Sequence, residues 1–191
     1  MHLESLVKEN ILRSEPLNVK QVLTEIVEWK APPQFRMQML RRFNLNTEDD
    51  LKSRIAQVLR KLHDNPDNVS AFVGLLSSLD GVGIPVSSAF LRFLDPTEHR
   101  YGIIDKNVAR FLNDRGITGF DLRKEDDWIK SYPERSLRIN INEYQRYHDW
   151  LQQKAKELKG VTYNGVDGSE QNFAPADVEM AIFAYTTKSQ Q

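Results

Sequence analysis

LLSSLDGVGIPVSSAFLRFLDPTEHRYGIIDKNVARFLN, Leu75 to Asn113, decides how the rest of the chain is read. An apolar helix end runs into Gly81-Val82-Gly83, a second helix opens at Pro85 and closes near Leu94, and an extended Tyr101-Gly102-Ile103-Ile104 delivers Asp105 to the start of a third helix. Glycine lets the backbone take a positive φ or lie against a closely approaching surface, and proline suits the first position of a helix. The stretch therefore predicts a tight turn with amides turned outward. Amides at a turn and a helix start form a small anion site, suited to a phosphate.

On the N-terminal side the spacing predicts helices throughout. Leu3, Leu6, Val7, Ile11 and Leu12 form one stripe; Asn18 is the expected cap of a second helix carrying Val22, Leu23, Ile26 and Val27, which ends at Trp29-Lys30 before Ala31-Pro32-Pro33. A third helix begins near Gln34, with Phe35, Met39, Leu40 and Phe43 apolar. Thr47-Glu48-Asp49-Asp50 reads as a cap with an acidic first turn before Leu51, Ile55, Val58, Leu59 and Leu62. A further helix, starting at Asn65-Pro66, carries Val69, Phe72, Val73 and Leu76 into the hairpin. Between Arg36 and Lys61 basic residues outnumber acidic ones, a bias suited to phosphates and equally to a solvated face.

On the C-terminal side, Gly116 to Ser136 is polar and turn-rich and reads as an excursion between lobes, with Trp128 and Tyr132 as anchors. A long helix starts at Asn140 or Asn142 and stops at Gly160; Tyr163 to Ala174 reads as a loop; Pro175 opens a last helix with Val178, Ala181, Ile182 and Tyr185 inward, and Lys188 to Gln191 trails off as a frayed end. With almost no alternating pattern, the expected fold class is all-α.

A length of 191 residues fits one domain or one domain in two lobes. Hydrophobic residues at 40%, charged residues at 28% and no apolar run of membrane-spanning length predict a soluble chain, and its start carries no signal-peptide pattern. The absence of cysteine leaves the cytoplasm as the default compartment. A net charge of −1 excludes a broadly basic nucleic-acid coat, so any such contact must be local. His2, His63, His99 and His148 stand in separate segments without ligand spacing, which argues against metal catalysis.

Leu79-Asp80-Gly81-Val82-Gly83 followed by Ile103-Ile104-Asp105-Lys106-Asn107-Val108-Ala109-Arg110 resembles the helix-hairpin-helix DNA glycosylase superfamily. There a glycine hairpin precedes, by some twenty residues, a catalytic aspartate at a helix start. The second segment is similar to the Asp-x-Asn-Val-x-Arg run of adenine-mismatch glycosylases. The resemblance implies a two-lobed helical fold with a cleft between lobes, lobe one about 20–115 with the hairpin at 79–86, and lobe two the N-terminal helix plus 116–191. It also implies monomeric action on double-stranded DNA, away from membranes. Bifunctional members carry a Schiff-base lysine where this chain has Pro85, so no lyase activity is expected. Cluster-bearing members need four cysteines, and this chain has none, so no iron–sulfur cluster is expected.

By this resemblance Asp105 is the catalytic residue, stabilising an oxocarbenium-like sugar or activating water; as an isolated residue it is equally a favoured helix cap. The amides of Gly81, Gly83 and Pro85 to Ser87, with Val82, Ser87, Ser88, Lys106 and Asn107, are the expected DNA contacts, Arg110 being as much a surface partner. Trp29, Lys30, Gln34 and Arg36 are candidates for a base pocket or wedge, Trp29 equally for packing; Tyr101, Glu179 and Tyr185 are weaker pocket candidates. The carbonyls of Leu79 and Val82 are where the family's Na+ or K+ would sit. The expected activity is monofunctional excision of a flipped-out damaged or modified base, in repair or against hypermodified bases of phage DNA. Two alternatives stand beside it: a non-catalytic helix-hairpin-helix DNA-binding module, and a helical interaction domain with a coincidental Gly-Val-Gly.

Overall fold

Helix starts in the computed structural model follow local capping preferences except where a distant side chain takes over the task. The structure describes residues 2–13, 16–96, 98–117, 121–122, 137–164 and 168–188, and these are mostly helical. The chain divides into two compact units, Met1–Glu98 and His99–Gln191.

The first unit contains α1 (His2–Asn10), α2 (Val19–Lys30), α3 (Pro33–Phe43), α4 (Glu48–Asp64), α5 (Val69–Leu76) and α6 (Ile84–Leu94). Its centre is α6, against which α1, α2 and α5 pack. From Val86 to Leu91, and again at Phe93 and Leu94, α6 is buried. A helix apolar all round belongs in the interior, and each fully buried Leu or Phe contributes about 1.5–3 kcal/mol. Ser87 and Ser88 are tolerated there because their hydroxyls donate to the carbonyls of Gly83 (3.1 Å) and Pro85 (2.8 Å) on the preceding turn.

The α4 start is the expected capping box: the Asp50 amide donates to Thr47 Oγ1 at 3.1 Å, and the Thr47 amide to Asp50 Oδ2 at 3.4 Å. The α2 start differs from expectation. Asn18 precedes it but sits at φ 50° and makes no side-chain cap bond. Instead the Val19 and Lys20 amides donate to the two carboxylate oxygens of Glu48, at 3.0 and 2.9 Å. One glutamate thus joins the first turns of α2 and α4, a contact 29 residues long that local pattern cannot reveal. Helix α5 starts at Val69, later than Asn65-Pro66, because Asn68 supplies the cap, its side chain accepting from the Ala71 amide.

In the second unit α7 (Lys106–Asp114) and α8 (Ile141–Glu157) both pack on α9 (Pro175–Lys188). Asn140 and Glu143 form the capping box of α8. The pieces β1 (Asp121–Leu122) and β2 (Leu137–Arg138) pair antiparallel. Where a loop was expected, β3 (Thr162–Asn164) and β4 (Glu170–Asn172) form a short antiparallel hairpin, with Thr162 opposite Asn172 and Asn164 opposite Glu170. Cross-strand aromatic packing explains it: the Tyr163 and Phe173 rings lie 4.9 Å apart. The inner face of α9 is Ala176, Val178, Glu179 and Ile182, whereas Ala181 and Tyr185, expected inside, are exposed. Trp128, Tyr132 and residues 189–191 lie outside the described residues. Among those described, no helix is long and apolar enough to cross a membrane.

Candidate functional site

The hairpin is built around Gly81. It sits at φ +75°, and a Cβ added there would lie 2.8 Å from the Phe43 amide nitrogen and 3.0 Å from the Met39 carbonyl oxygen. Backbone of α3 therefore occupies the place of any side chain, and the turn closes directly on that helix end. Asn46 completes the junction. Its side-chain amide donates to the carbonyls of Phe43 (2.7 Å) and Asp80 (3.0 Å), and its oxygen accepts from the Asp80 amide at 3.0 Å. Asn46 is nearly buried and pairs with Asp80 as a strand neighbour would. The sequence marks it only as an asparagine that follows a helix end.

Gly83 behaves differently. Its φ is −89°, it is exposed, and a Cβ would meet nothing nearer than Pro85 Cδ at 3.8 Å. Nothing within the described fold requires glycine there. The amides of Gly81, Gly83 and Ile84 make no hydrogen bond among the described residues. Those of Val86 and Ser87 are taken by the Gly83 carbonyl at 3.1 and 2.9 Å, and Pro85 has no amide. Of the expected donors those of Gly81 and Gly83 are open, and Ile84 stands in place of Pro85 to Ser87. Ser87 and Ser88 are fully buried, and their hydroxyls are turned back on the carbonyls of Gly83 and Pro85. Val82 is the hairpin's buried anchor. Of the two carbonyls considered for a monovalent cation, Leu79's accepts the Val82 amide at 3.2 Å and Val82's accepts nothing among the described residues. Two oxygens are part of an ion's oxygen shell, so the residues fit in part.

In the second unit, Asp105 is the N-cap of α7. Its Oδ1 accepts from the amides of Asn107 (2.8 Å) and Val108 (2.9 Å), while Oδ2 makes no hydrogen bond among the described residues. The side chain is part-buried, so one carboxylate oxygen is fixed and the other is left over. Asn107 orients Asp105 through its backbone amide, and its own side chain makes no hydrogen bond among the described residues. Lys106 and Arg110 are half-buried on the same helix.

The segment leading to Asp105 is extended, and helices α8 and α9 take three of the carbonyls from His99 onward. The Ala176 amide donates to His99 at 3.0 Å, the Tyr144 hydroxyl to Gly102 at 2.9 Å, and the Tyr147 hydroxyl to Ile103 at 3.5 Å. Gly102 is required by close approach, since a Cβ would overlap Leu151 and lie 3.1 Å from Glu179 Cβ and 3.2 Å from the Tyr147 oxygen. Burial first, then neighbouring ionisable groups, pushes both tyrosine hydroxyls well above the usual phenol range. The charge of Glu179 acts on both, and that of Asp105 on Tyr147. Both hydroxyls therefore stay protonated as donors into alkaline solution.

Of the remaining candidates, Trp29 is 54% exposed and meets Phe93 edge-on, ring centroids 5.5 Å apart. Lys30 is half-buried, and Gln34 and Arg36 are exposed. Tyr101 is fully buried against His148, stacked at 5.5 Å, and belongs to the core rather than to a pocket. Tyr185 is exposed and forms a surface cluster with Phe111 and Arg115, whose guanidinium lies 4.0 Å over the Phe111 ring. Among the described residues no group of His, Cys, Asp or Glu is arranged to hold a metal.

The described residues are mostly helical, with a glycine hairpin whose amides at Gly81, Gly83 and Ile84 make no hydrogen bond among them and an aspartate capping a later helix, an arrangement consistent with a helix-hairpin-helix type of DNA glycosylase. The family model described as "Putative 8-oxoguanine DNA glycosylase OGG-like protein" matches residues 6–183, and the chain belongs to that family. No curated protein and no solved structure matches it.

Proposed function

We propose that the protein is a monofunctional DNA glycosylase that removes 8-oxoguanine from double-stranded DNA and leaves an abasic site. Family membership supports the substrate class; the observation that carries the chemistry is the half-used carboxylate of Asp105. In this reading the hairpin amides hold a backbone phosphate while the damaged nucleotide leaves the stack, an unstacking that costs a few kcal/mol and is offset by that grip. The bond from C1′ to the base breaks, its electron pair leaves with the base, and positive charge develops on the sugar. Oδ2 of Asp105 stabilises that charge and accepts a proton from the water that attacks C1′. Trp29 is the aromatic offered to the extruded base, with Lys30, Gln34 and Arg36 as flanking contacts. Pro85 supplies no amine at the hairpin position where a Schiff base would form, so strand cleavage is not part of the reaction. Should Na+ or K+ bind at Leu79 and Val82, it would add positive charge beside the phosphate.

The test is excision from labelled duplexes carrying 8-oxoguanine, with alkylated, deaminated and phage-type hypermodified bases in parallel. Alkali should reveal an abasic site in the 8-oxoguanine duplex, borohydride should trap no covalent adduct, and Asp105→Asn should slow release by roughly 10²- to 10³-fold while binding persists. Release of a different base would move the substrate assignment, and release of none would leave DNA binding without catalysis as the reading.

A further inference from the structure

Helix α3 lies on the first unit with little of itself covered: of its eleven residues only Phe43 is buried, and Pro33 to Gln38, Arg41 and Arg42 are exposed. Between Glu28 and Glu48 the chain has no acid and carries Lys30, Arg36, Arg41 and Arg42, although the whole molecule has 27 acids against 26 basic residues. Arg36, Arg41 and Arg42 make no side-chain hydrogen bond or ion pair among the described residues. The ordinary task of cations in a last turn is to meet the negative end of the helix dipole. Their place gives these two another. The Arg42 Cβ stands 3.0 Å from where a Gly81 Cβ would lie, so this side chain leaves α3 at the hairpin itself, beside the open amides of Gly81, Gly83 and Ile84. Asp80, the acid of the turn, is exposed and pairs with neither arginine among the described residues.

Resting on the DNA binding proposed above, we propose that Arg41 and Arg42 form a second phosphate clamp, with the C-terminal end of α3 laid against the backbone of the strand that the hairpin amides hold. The hairpin takes one phosphate and the arginines take its neighbours. A guanidinium fork matches phosphate oxygens in pairs and stays charged at any working pH. Met37 and Leu45, 64% and 70% exposed, give the same side of the unit an apolar surface that a protein could also use. Charge decides between the occupants. A second copy meeting this face symmetrically would set arginines against arginines, whereas duplex DNA offers about one negative charge per 1.7 Å of its axis.

The experiment uses the full chain with Arg41→Gln, Arg42→Gln and the double variant. Arg42→Lys keeps the charge, and Arg60→Gln, an exposed cation near the far end of α4, serves as control. Fluorescence anisotropy follows binding to an undamaged duplex, and to one with an abasic-site analogue, across a range of salt concentrations. The slope of log affinity against log salt should shrink by about 1 in each single variant and by about 2 in the double, which is roughly 10-fold in affinity per arginine at about 0.1 M salt. Both duplexes should lose alike, since phosphate contacts carry no base information. Arg42→Lys should hold the slope, and Arg60→Gln should leave slope and affinity at the wild-type values. Wild-type slopes in the Arg41 and Arg42 variants would overturn the proposal: with a lowered Tm the two are partners of the helix dipole, and with loss of a concentration-dependent dimer α3 belongs to a second copy. A slope lost equally in Arg60→Gln would overturn it too, leaving only diffuse attraction. A wild type that binds duplex but releases no base refutes the function proposed above, and the slopes still decide the clamp; one that binds no duplex refutes both.

Discussion

Replacing each hairpin glycine by alanine separates what the fold needs from what a ligand needs. At Gly81 the methyl group must be carried at φ +75°, which costs an L-residue roughly 1–2 kcal/mol. It must also displace the Phe43 amide and the Met39 carbonyl, backbone atoms of α3 that cannot rotate away. Overpacking of that kind costs about 1–3 kcal/mol. Together the two give roughly 2–5 kcal/mol against a whole stability of about 5–15 kcal/mol, which lowers Tm by about 5–20 °C. At Gly83 neither term applies, since φ is −89° and the nearest atom lies 3.8 Å away. Alanine there should leave stability unchanged or raise it by about 0.4–1 kcal/mol through the unfolded chain. Its methyl group would, however, stand beside the unspent amides of Gly83 and Ile84. Losing one charge-assisted hydrogen bond to phosphate is worth about 1.5–3 kcal/mol, or roughly 10- to 100-fold in affinity. Calorimetry and fluorescence anisotropy with a labelled duplex read the two quantities separately. A Gly83→Ala protein that binds duplex as tightly as wild type would refute the phosphate site, and a Gly81→Ala protein with unchanged Tm would refute the close approach.

Asp105→Asn should keep Tm near wild type, because asparagine caps as well as aspartate, and lose roughly 10²- to 10³-fold in single-turnover excision. Asp105→Ala should lose about 1 kcal/mol of stability in addition, read by urea denaturation. Asn46→Ala removes both halves of the Asp80 pairing and should cost about 1–3 kcal/mol, with duplex affinity falling too because the turn is no longer held against α3. The raised hydroxyls of Tyr144 and Tyr147 make the protein weaken in alkali. Below the ordinary phenol pKa of about 10 both states are protonated and the contribution is fully present. Above it the unfolded chain loses protons that the folded chain keeps, so unfolding becomes easier by up to about 1.4 kcal/mol per pH unit for each tyrosine. Urea midpoints between pH 9 and 11 should fall accordingly, and Tyr147→Phe should flatten the slope.

Much of this arrangement is legible in sequence because its causes are local. The stripe of Val22, Leu23, Ile26 and Val27, the Thr47 capping box and the Asn140 start of α8 lie within a turn or two of the residues they organise. What was not legible depends on residues far apart. Asn18 looks like a cap, yet Glu48 does that work from the next helix but one. Ser87 and Ser88 look like phosphate contacts, yet an apolar helix buries them and turns their hydroxyls back on its own carbonyls. Tyr185 fits a helical stripe on α9, but the face is rotated so that Glu179 lies inside and Tyr185 outside. Periodicity places residues on a common face without saying which face is covered. In the sequence Gly102 is only part of an extended run, because the side chains that press on it come from α8 and α9, far along the chain.

The division of labour within one carboxylate is the step that joins fold and chemistry. A helix start needs an oxygen at Asp105 to satisfy two orphan amides, and Oδ1 does this alone. Having done so, it fixes the side-chain torsion, and the second oxygen is aimed without further cost in conformational freedom. A serine or threonine would cap as well but has no second oxygen to present. Asp105→Ser is therefore the sharpest contrast: it should keep the α7 start and the hydrogen-exchange protection of Asn107 and Val108, and lose base release. A serine variant that still releases the base at the wild-type rate would leave Asp105 as a cap and nothing more.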